Sequence, residues 1–125
     1  MSTQNTVEIS WLPEPEAHNY PAADSYLRLT YADASAADMV ARLHSAAVVQ
    51  FKAKDIFRAS QLSLLGVSNS HVDKDRKKIE KGVPMSPLLL VRDTNHGKVV
   101  IADGYHRLCA IYGLNEDALI NCKII

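Results

Sequence analysis

The segment Ile101-Ala102-Asp103-Gly104-Tyr105-His106-Arg107-Leu108-Cys109-Ala110 decides the fold, because an apolar strand gives way to a helix within it. The run Lys98–Ala102 is rich in β-branched residues and predicts a buried strand. From Tyr105 onward the apolar spacing becomes helical, and Gly113 marks the expected end of that helix. We therefore expect a tight strand-to-helix junction at Asp103-Gly104.

This junction carries groups that suit an anion. Backbone N–H groups at a helix start lack internal partners and lie at the positive end of the helix dipole, so anions bind there. His106 and Arg107 add donors, and an arginine can hold phosphate through two hydrogen bonds. Asp103 could hold a metal ion, accept a proton or cap the helix. A purely structural alternative is that Asp103 caps the helix, Gly104 serves the turn and the basic pair is solvated.

From about residue 48 to residue 125 the chain resembles the ParB/sulfiredoxin-like superfamily. In that group a Pro-Ile-Leu-Val-like strand is followed by a hairpin, a G-x-x-R box that opens a helix, and a final strand. The corresponding segments here are Ser86–Arg92, Val99–Asp103, Gly104–Arg107 and Ala118–Ile124. The resemblance implies an α/β (α+β) fold, a single domain with a small mixed sheet and flanking helices. We place that domain at residues 34–125, with an added N-terminal helix, after a partly disordered arm at residues 1–33.

The resemblance also implies a ligand for the box. Sulfiredoxins carry Gly-Cys-His-Arg, in which the cysteine is catalytic and the His-Arg pair contacts ATP phosphates. ParB proteins carry Gly-Glu-Arg-Arg and bind CTP, and related free-serine kinases carry Asp-Gly-His-Thr-Arg. This chain is similar to all three at Gly104 and Arg107, and to sulfiredoxin at His106. Tyr105 takes the place of the catalytic cysteine, so sulfinic-acid reduction is not expected.

A second group of candidate ligands follows the predicted first strand, residues 48–51. In ParB-like folds a basic loop after this strand faces the G-x-x-R box across the nucleotide cleft. By that likeness Lys54, Arg58 and Ser60 would contact phosphate. The alternative is that they are ordinary surface groups. The apolar residues of this region should face inward: Ile56, Phe57, Leu62, Leu64 and Leu65.

A predicted helix over residues 72–81 carries a basic face. Four of its lysines are spaced i, i+3, i+4 and i+7: Lys74, Lys77, Lys78 and Lys81. Such a row could follow a nucleic-acid backbone. The alternative is the solvated face of a soluble helix.

Composition limits the function classes. The 125 residues are 47% hydrophobic, which suits one core, and no apolar run approaches the roughly 18 residues that span a bilayer. Cys109 and Cys122 lack metal-type spacing, which favours two buried thiols in a reduced, cytoplasmic setting. Basic residues exceed acidic ones in residues 51–125, and the reverse holds in residues 1–50. A positive half suits an anionic ligand, whereas a net charge of zero argues against an indiscriminate nucleic-acid binder.

The front of the chain lies outside the resemblance. Residues 1–6 are polar, lack the features of a signal peptide and are expected to be disordered. Residues 11–31 predict an irregular arm, because three prolines stand among four aromatic residues. Ser35 and Asp38 have capping-box spacing ahead of a helix that runs to about residue 47. The arm could be a lid or a dimer element, but packing against the core is the simpler expectation.

Three functions compete. The first is a domain that binds a nucleotide or another phosphate ligand, with Mg²⁺, and that performs phosphoryl transfer or hydrolysis. In it Asp103 and His106 are the catalytic candidates, and Asp103 is the metal ligand with Asp55 as its partner. The second is a nuclease-type, ParB-like protein that contacts nucleic acid through the lysine face, although the chain lacks a helix-turn-helix domain. The third is a non-catalytic assembly module, and whether the chain forms a homodimer stays open.

Overall fold

The structure, a computed structural model, describes residues 8–125, so the expected disorder of residues 1–6 lies outside the described residues. Within that range the chain forms five helices and four strands. In chain order they are α1 (Asn19–Leu27), α2 (Asp33–Ser45), β1 (Val49–Lys52), α3 (Ala53–Ser60), α4 (Ser70–Glu80), β2 (Leu88–Asp93), β3 (Lys98–Asp103), α5 (Tyr105–Leu114) and β4 (Leu119–Ile124).

The four strands form one mixed sheet in the order β1-β4-β2-β3. β1 pairs antiparallel with β4, β4 pairs parallel with β2, and β2 pairs antiparallel with β3. In register, Leu90 of β2 lies opposite Ile124 of β4 on one side and Ile101 of β3 on the other. The expected fold class, a single domain with a small mixed sheet and flanking helices, is confirmed.

The central strand β2 is apolar along its length because both faces of the sheet are covered. Successive side chains of a strand point to opposite faces. Leu88 and Leu90 pack in one core cluster with buried residues of α3, α4 and α5. Leu89 and Val91 pack in a second cluster with α1 and α2. The sheet is therefore the middle of three layers, and β2 reads as a continuous hydrophobic run rather than an alternating one.

The prediction of an irregular arm over residues 11–31 is wrong in its second half, where α1 forms. Pro21 is tolerated because it lies in the first turn of α1, where a backbone N–H has no helical partner. Tyr20, Ala23 and Leu27 of α1 are buried in the core cluster shared with β2 and β3, so the helix is held by packing. The predicted capping box does not form, since α2 begins at Asp33 without a side-chain cap.

The segment after the first strand is a helix, α3, rather than a basic loop. Ala53, Ile56 and Ser60 are its buried residues, and their spacing of three and four places them on one face. Leu62 and Leu64 follow the end of this helix and are 41% and 46% exposed, contrary to the expectation that they face inward. The sequence showed their hydrophobicity but not that the helix stops before them.

Other local predictions are confirmed. The basic helix is α4, and it begins at Ser70 because the Asn69 side chain accepts hydrogen bonds from the backbone N–H groups of His71 and Val72. Cys109 and Cys122 are both buried and are not joined in a disulfide. No helix among residues 8–125 is long and apolar enough to cross a membrane.

Lys123, near the end of β4, is an unexpected core residue. Its side chain is 2% exposed, and its Nζ donates to Glu14 Oε1 at 2.8 Å and to the His44 carbonyl at 2.9 Å. The same Nζ lies 5.8 Å from the centre of the Tyr20 ring, which stacks on the His44 ring. Lys123 thus ties the N-terminal segment and α2 to the central part of the sheet.

Candidate functional site

The junction between β3 and α5 depends on a glycine. Gly104 has φ = +113°, a backbone conformation that L side chains rarely adopt. A Cβ at this position would lie 2.6 Å from Leu88 Cγ and 2.9 Å from Arg107 Nη2. The turn therefore brings the first residues of α5 close to β2 and leaves room for the arginine beside them.

Asp103 and Arg107 form an ion pair across the first turn of α5. Arg107 Nη2 donates to Asp103 Oδ2 at 3.1 Å, and the two side chains are 16% and 18% exposed. Nη2 also lies 3.5 Å from the Pro87 carbonyl. Asp103 does not cap the helix, because the N-cap residue is Gly104 and α5 begins without a side-chain cap. Its carboxylate instead fixes the position of the guanidinium.

Arg107 retains a donor that the protein does not use. Within residues 8–125, its Nε is buried and has no hydrogen-bond partner. A buried donor without a partner costs about 1–3 kcal/mol, so such groups are uncommon in folded proteins. The donor belongs to the side chain that Asp103 holds at the start of α5.

A cleft of about 260 Å³ separates α4 from the β3–α5 junction. Its walls bring the G-x-x-R box together with one face of the basic helix. The lining residues are His71, Lys74, Asp75, Lys78, Asp103, Gly104, Tyr105, His106 and Arg107. The phosphate-type box and part of the lysine row, which the sequence suggested as two separate surfaces, thus belong to one cleft.

The lysine row is divided by the way α4 packs. Lys74 and Lys78 line the cleft, whereas Lys77 pairs with Asp73 at 3.1 Å and Lys81 is exposed outside it. The face of α4 that meets the cleft is therefore residues 71, 74, 75 and 78, which is the predicted row shifted by three residues toward the N-terminus of the helix. Residues 71, 74, 75 and 78 have the same i, i+3, i+4, i+7 spacing in the sequence. His71 and Asp75 were not predicted as part of this face because only lysines were considered.

Two imidazole rings narrow the cleft. The ring centres of His71 on α4 and His106 on α5 lie 4.9 Å apart, and His106 also lies 5.7 Å from the Tyr105 ring. Both histidines line the cleft together with Lys74 and Lys78. His106 thus contacts both His71 and Tyr105 within the cleft.

Tyr105 forms part of the cleft wall and holds the loop of residues 61–69. Its hydroxyl donates to the Ser63 carbonyl. Burial, and then the neighbouring Cys109 thiol, raise the pKa of Tyr105 above its usual range. The phenol stays protonated at neutral pH and acts as a donor to the loop.

The second group of predicted ligands is not brought into this cleft. Lys54 pairs with Asp117 at 2.7 Å, and Arg58 pairs with Asp55 at 3.1 Å. The hydrogen bond with Asp117 raises the pKa of Lys54 and lowers that of Asp117. Ser60 Oγ is buried and donates to the Phe57 carbonyl at 2.7 Å. The two basic side chains are thus held in ion pairs, and the serine hydroxyl bonds within the last turn of α3. None of the three residues lines the cleft beside Arg107.

Two further cavities adjoin the cleft. One, of about 440 Å³, shares the box residues 103–106 and has a largely apolar wall that includes Tyr26, Leu62 and Ile101. The other, of about 420 Å³, shares Asp75, Lys78 and Arg107 with the cleft and is lined on the N-terminal side by Leu12, Glu16 and His18. A groove therefore runs across the start of α5, with the cationic cleft at its centre.

The carboxylates of the cleft are few. Asp75 and Asp103 line it, and residues 8–125 contain no group of three or more His, Cys, Asp or Glu side chains arranged to hold a metal ion. Asp55, the expected partner of Asp103, pairs with Arg58 instead. Mg²⁺ bound with a nucleotide takes one or two carboxylates and completes its shell with phosphate oxygens and water. The two aspartates are compatible with that mode.

The chain matches no family model, no curated protein and no solved structure. The chemistry of the cleft is therefore inferred from its own residues.

Proposed function

We propose that the cleft binds the phosphate group of a small-molecule ligand, with the phosphate at the start of α5. The observation that carries this proposal is the convergence of Lys74, Lys78 and Arg107 from two helices on one cleft beside an open helix N-terminus. The unpartnered Nε of Arg107 adds a buried donor at the same place. A phosphate would offset the repulsion between the two lysines, which Asp75 opposes in the cleft while Asp103 is paired with Arg107.

A nucleotide is the ligand class that fits the groove best. The apolar cavity beside residues 103–106 offers aromatic and aliphatic surface from Tyr26, Leu62 and Ile101. A base could pack there while its phosphates reach Lys74 and Lys78. This placement agrees with what the ParB/sulfiredoxin-like resemblance implies for the G-x-x-R box, and we propose membership of that superfamily on the same residues.

Phosphoryl transfer or hydrolysis is the reaction we propose for such a ligand. Phosphoryl transfer depends mainly on positioning and on neutralising charge, which Arg107 and the lysines would supply. His106 is the candidate general acid or base. Asp103 would act through Arg107, because its carboxylate is already paired. Mg²⁺, when bound with the nucleotide, would supply charge neutralisation, and Asp75 is the carboxylate that is better placed to hold it than Asp103.

Nucleic-acid binding through the lysine row is the weaker candidate. Lys74 and Lys78 face the cleft and Lys77 is paired with Asp73, so no continuous row remains to follow a phosphate backbone. A non-catalytic assembly role would not explain why the lysines and Arg107 converge on one cleft.

The test compares two lysines of the same helix. Binding of inorganic phosphate, ATP and CTP is measured by calorimetry and by thermal shift, with and without Mg²⁺, for the unchanged protein and for Lys78→Gln and Lys81→Gln. A ligand at 100 times its Kd adds about 2.7 kcal/mol to the free energy of unfolding. We expect Lys78→Gln to weaken binding about tenfold, the equivalent of one charge-assisted hydrogen bond, and Lys81→Gln to leave it unchanged. Equal affinities for the two variants, or no binding by the unchanged protein, would refute the proposal.

A further inference from the structure

A separate cavity of about 240 Å³ lies between α3 and the sheet. It shares no lining residue with the phosphate cleft. Two of the eight residues that line it are charged, Asp55 of α3 and Arg92 of β2, so opposite charges face the same small space. The other six are apolar, namely Phe51, Ile56, Ala59, Leu90, Val99 and Ile124.

The strands supply the floor of this cavity. Leu90 and Arg92 are two residues apart in β2, so their side chains point to the same face of the sheet. In register, Ile124 of β4 lies opposite Leu90, and Val99 of β3 lies opposite Arg92. The floor is therefore a row of neighbouring side chains from three strands, and a guanidinium group stands at one end of it.

The helix α3 supplies the opposite wall. Asp55 and Ala59 are four residues apart and therefore lie on the same side of the helix. Ile56, next to Asp55, is 4% exposed and packs in the core, so this part of α3 is held against the sheet. The wall thus presents one carboxylate beside the smallest apolar side chain of the lining.

Both charged groups are accessible to a ligand. None of the ion pairs among residues 8–125 includes Arg92. Asp55 pairs with Arg58, but that pair is exposed to water, with 80% of the Arg58 side chain and 50% of the Asp55 side chain accessible. Exposed ion pairs contribute little to stability, so a ligand ammonium group can compete with Arg58 for the carboxylate.

We infer that this cavity binds a free α-amino acid with an apolar side chain. The ligand carboxylate pairs with the guanidinium of Arg92, the ammonium group pairs with Asp55, and the side chain packs against the apolar floor.

Charge complementarity favours this class of ligand over its neighbours. An α-amino acid carries two opposite charges on one carbon, whereas a fatty acid or an alkylamine would leave either Asp55 or Arg92 without a counter-charge. The cavity is also smaller than the range of about 300–1,000 Å³ that is typical of sites for drug-sized molecules, which suits a compact ligand. The site does not depend on the proposed phosphate cleft and adds a second ligand to it.

The first experiment compares probes on the full, unchanged chain by calorimetry. The amino acids are leucine, valine and phenylalanine. For the tightest of the three, we compare the amine that lacks the carboxylate, the acid that lacks the ammonium group, and glycine, which lacks the apolar side chain. We expect each of these to bind at least about tenfold more weakly, because each loses either a charge-assisted hydrogen bond or apolar burial.

Three results would overturn the inference. None of the three amino acids binds, or the amine or the acid binds as tightly as the amino acid, or the N-acetylated amide of the amino acid does so. The last result would show that the cavity takes an apolar side chain of a partner protein, because that probe carries no charge.

Variants then locate the bound amino acid. Arg92→Gln and Asp55→Asn should each weaken its binding about tenfold, and Ala59→Trp should abolish binding by filling the cavity. Arg42→Gln, at a 59% exposed arginine of α2 outside the cavity, is the matched control and should leave the affinity unchanged. Circular dichroism checks that each variant folds. Equal affinities of Arg92→Gln and Arg42→Gln for the amino acid would refute this site, whatever the outcome for phosphate.

Discussion

Gly104→Ala tests whether the strand-to-helix junction is as tightly built as the structure indicates. Two costs add at this position. A Cβ would lie 2.6 Å from Leu88 Cγ, and overpacking of this kind costs about 1–3 kcal/mol. The positive φ of +113° adds about 1–2 kcal/mol for a residue with a side chain. We therefore expect a loss of about 2–5 kcal/mol in the free energy of unfolding.

The same helix provides a matched control. Gly113 lies in the last turns of α5, and a Cβ there would have no heavy atom within 4 Å. Gly113→Ala should stabilise the protein by about 0.5–1 kcal/mol, because alanine loses less conformational entropy in a helix than glycine does. Both variants are measured by urea unfolding followed by circular dichroism. A loss below about 0.5 kcal/mol for Gly104→Ala would show that neither the contact with Leu88 nor the backbone conformation is as described.

Two further predictions concern the core and the loop. Burial raises the pKa of Cys122 to about 11, and Arg92 has a smaller opposing effect. The unfolded chain therefore loses this thiol proton at a lower pH than the folded chain does. For that reason the free energy of unfolding should fall as the pH rises from about 8.5 to 11. Urea unfolding across that range should show a shallower decline for Cys122→Ala than for the unchanged protein, and identical slopes would contradict the prediction. Tyr105→Phe removes the hydrogen bond to the Ser63 carbonyl and should cost about 0.5–1.5 kcal/mol, with faster amide exchange confined to residues 61–69. Tyr26→Phe, at a tyrosine that is 46% exposed, is its control, and equal exchange rates in the two variants would count against the tether.

The structural predictions that are confirmed are those that depend on one local sequence pattern. The β2–β3 hairpin, the junction at Gly104 and the start of α5 could be read from β-branched runs and from one change of period. α3 was missed because the resemblance implied a basic loop after the first strand, although residues 53, 56 and 60 already had helical spacing. The position of α1 was missed because prolines were counted without asking where in a helix they would stand.

The composition of the site was harder to predict because it depends on how distant segments meet. The rotation of α4 about its own axis decides whether Lys77 or Lys74 faces Arg107, and that rotation is fixed by burial of Val72 and Ile79. The Ser86 hydroxyl donates to Asn19 Oδ1 although the two residues are 67 positions apart, so nothing local marks them as partners. Arg58 had the right chemistry for phosphate, but α3 directs it to Asp55.

The charges of the cleft favour a ligand with more than one negative charge. Lys74, Lys78 and Arg107 are opposed by Asp75 and Asp103, which leaves the cleft with a small positive excess. Because Asp103 and Arg107 form an ion pair with each other, the two lysines are the positive charges that can bind an incoming anion. A phosphomonoester carries nearly two negative charges at neutral pH and can neutralise both lysines, whereas a carboxylate carries only one. Replacement of a phosphate by a carboxylate on the same carbon skeleton should therefore weaken binding more than a change in the skeleton itself.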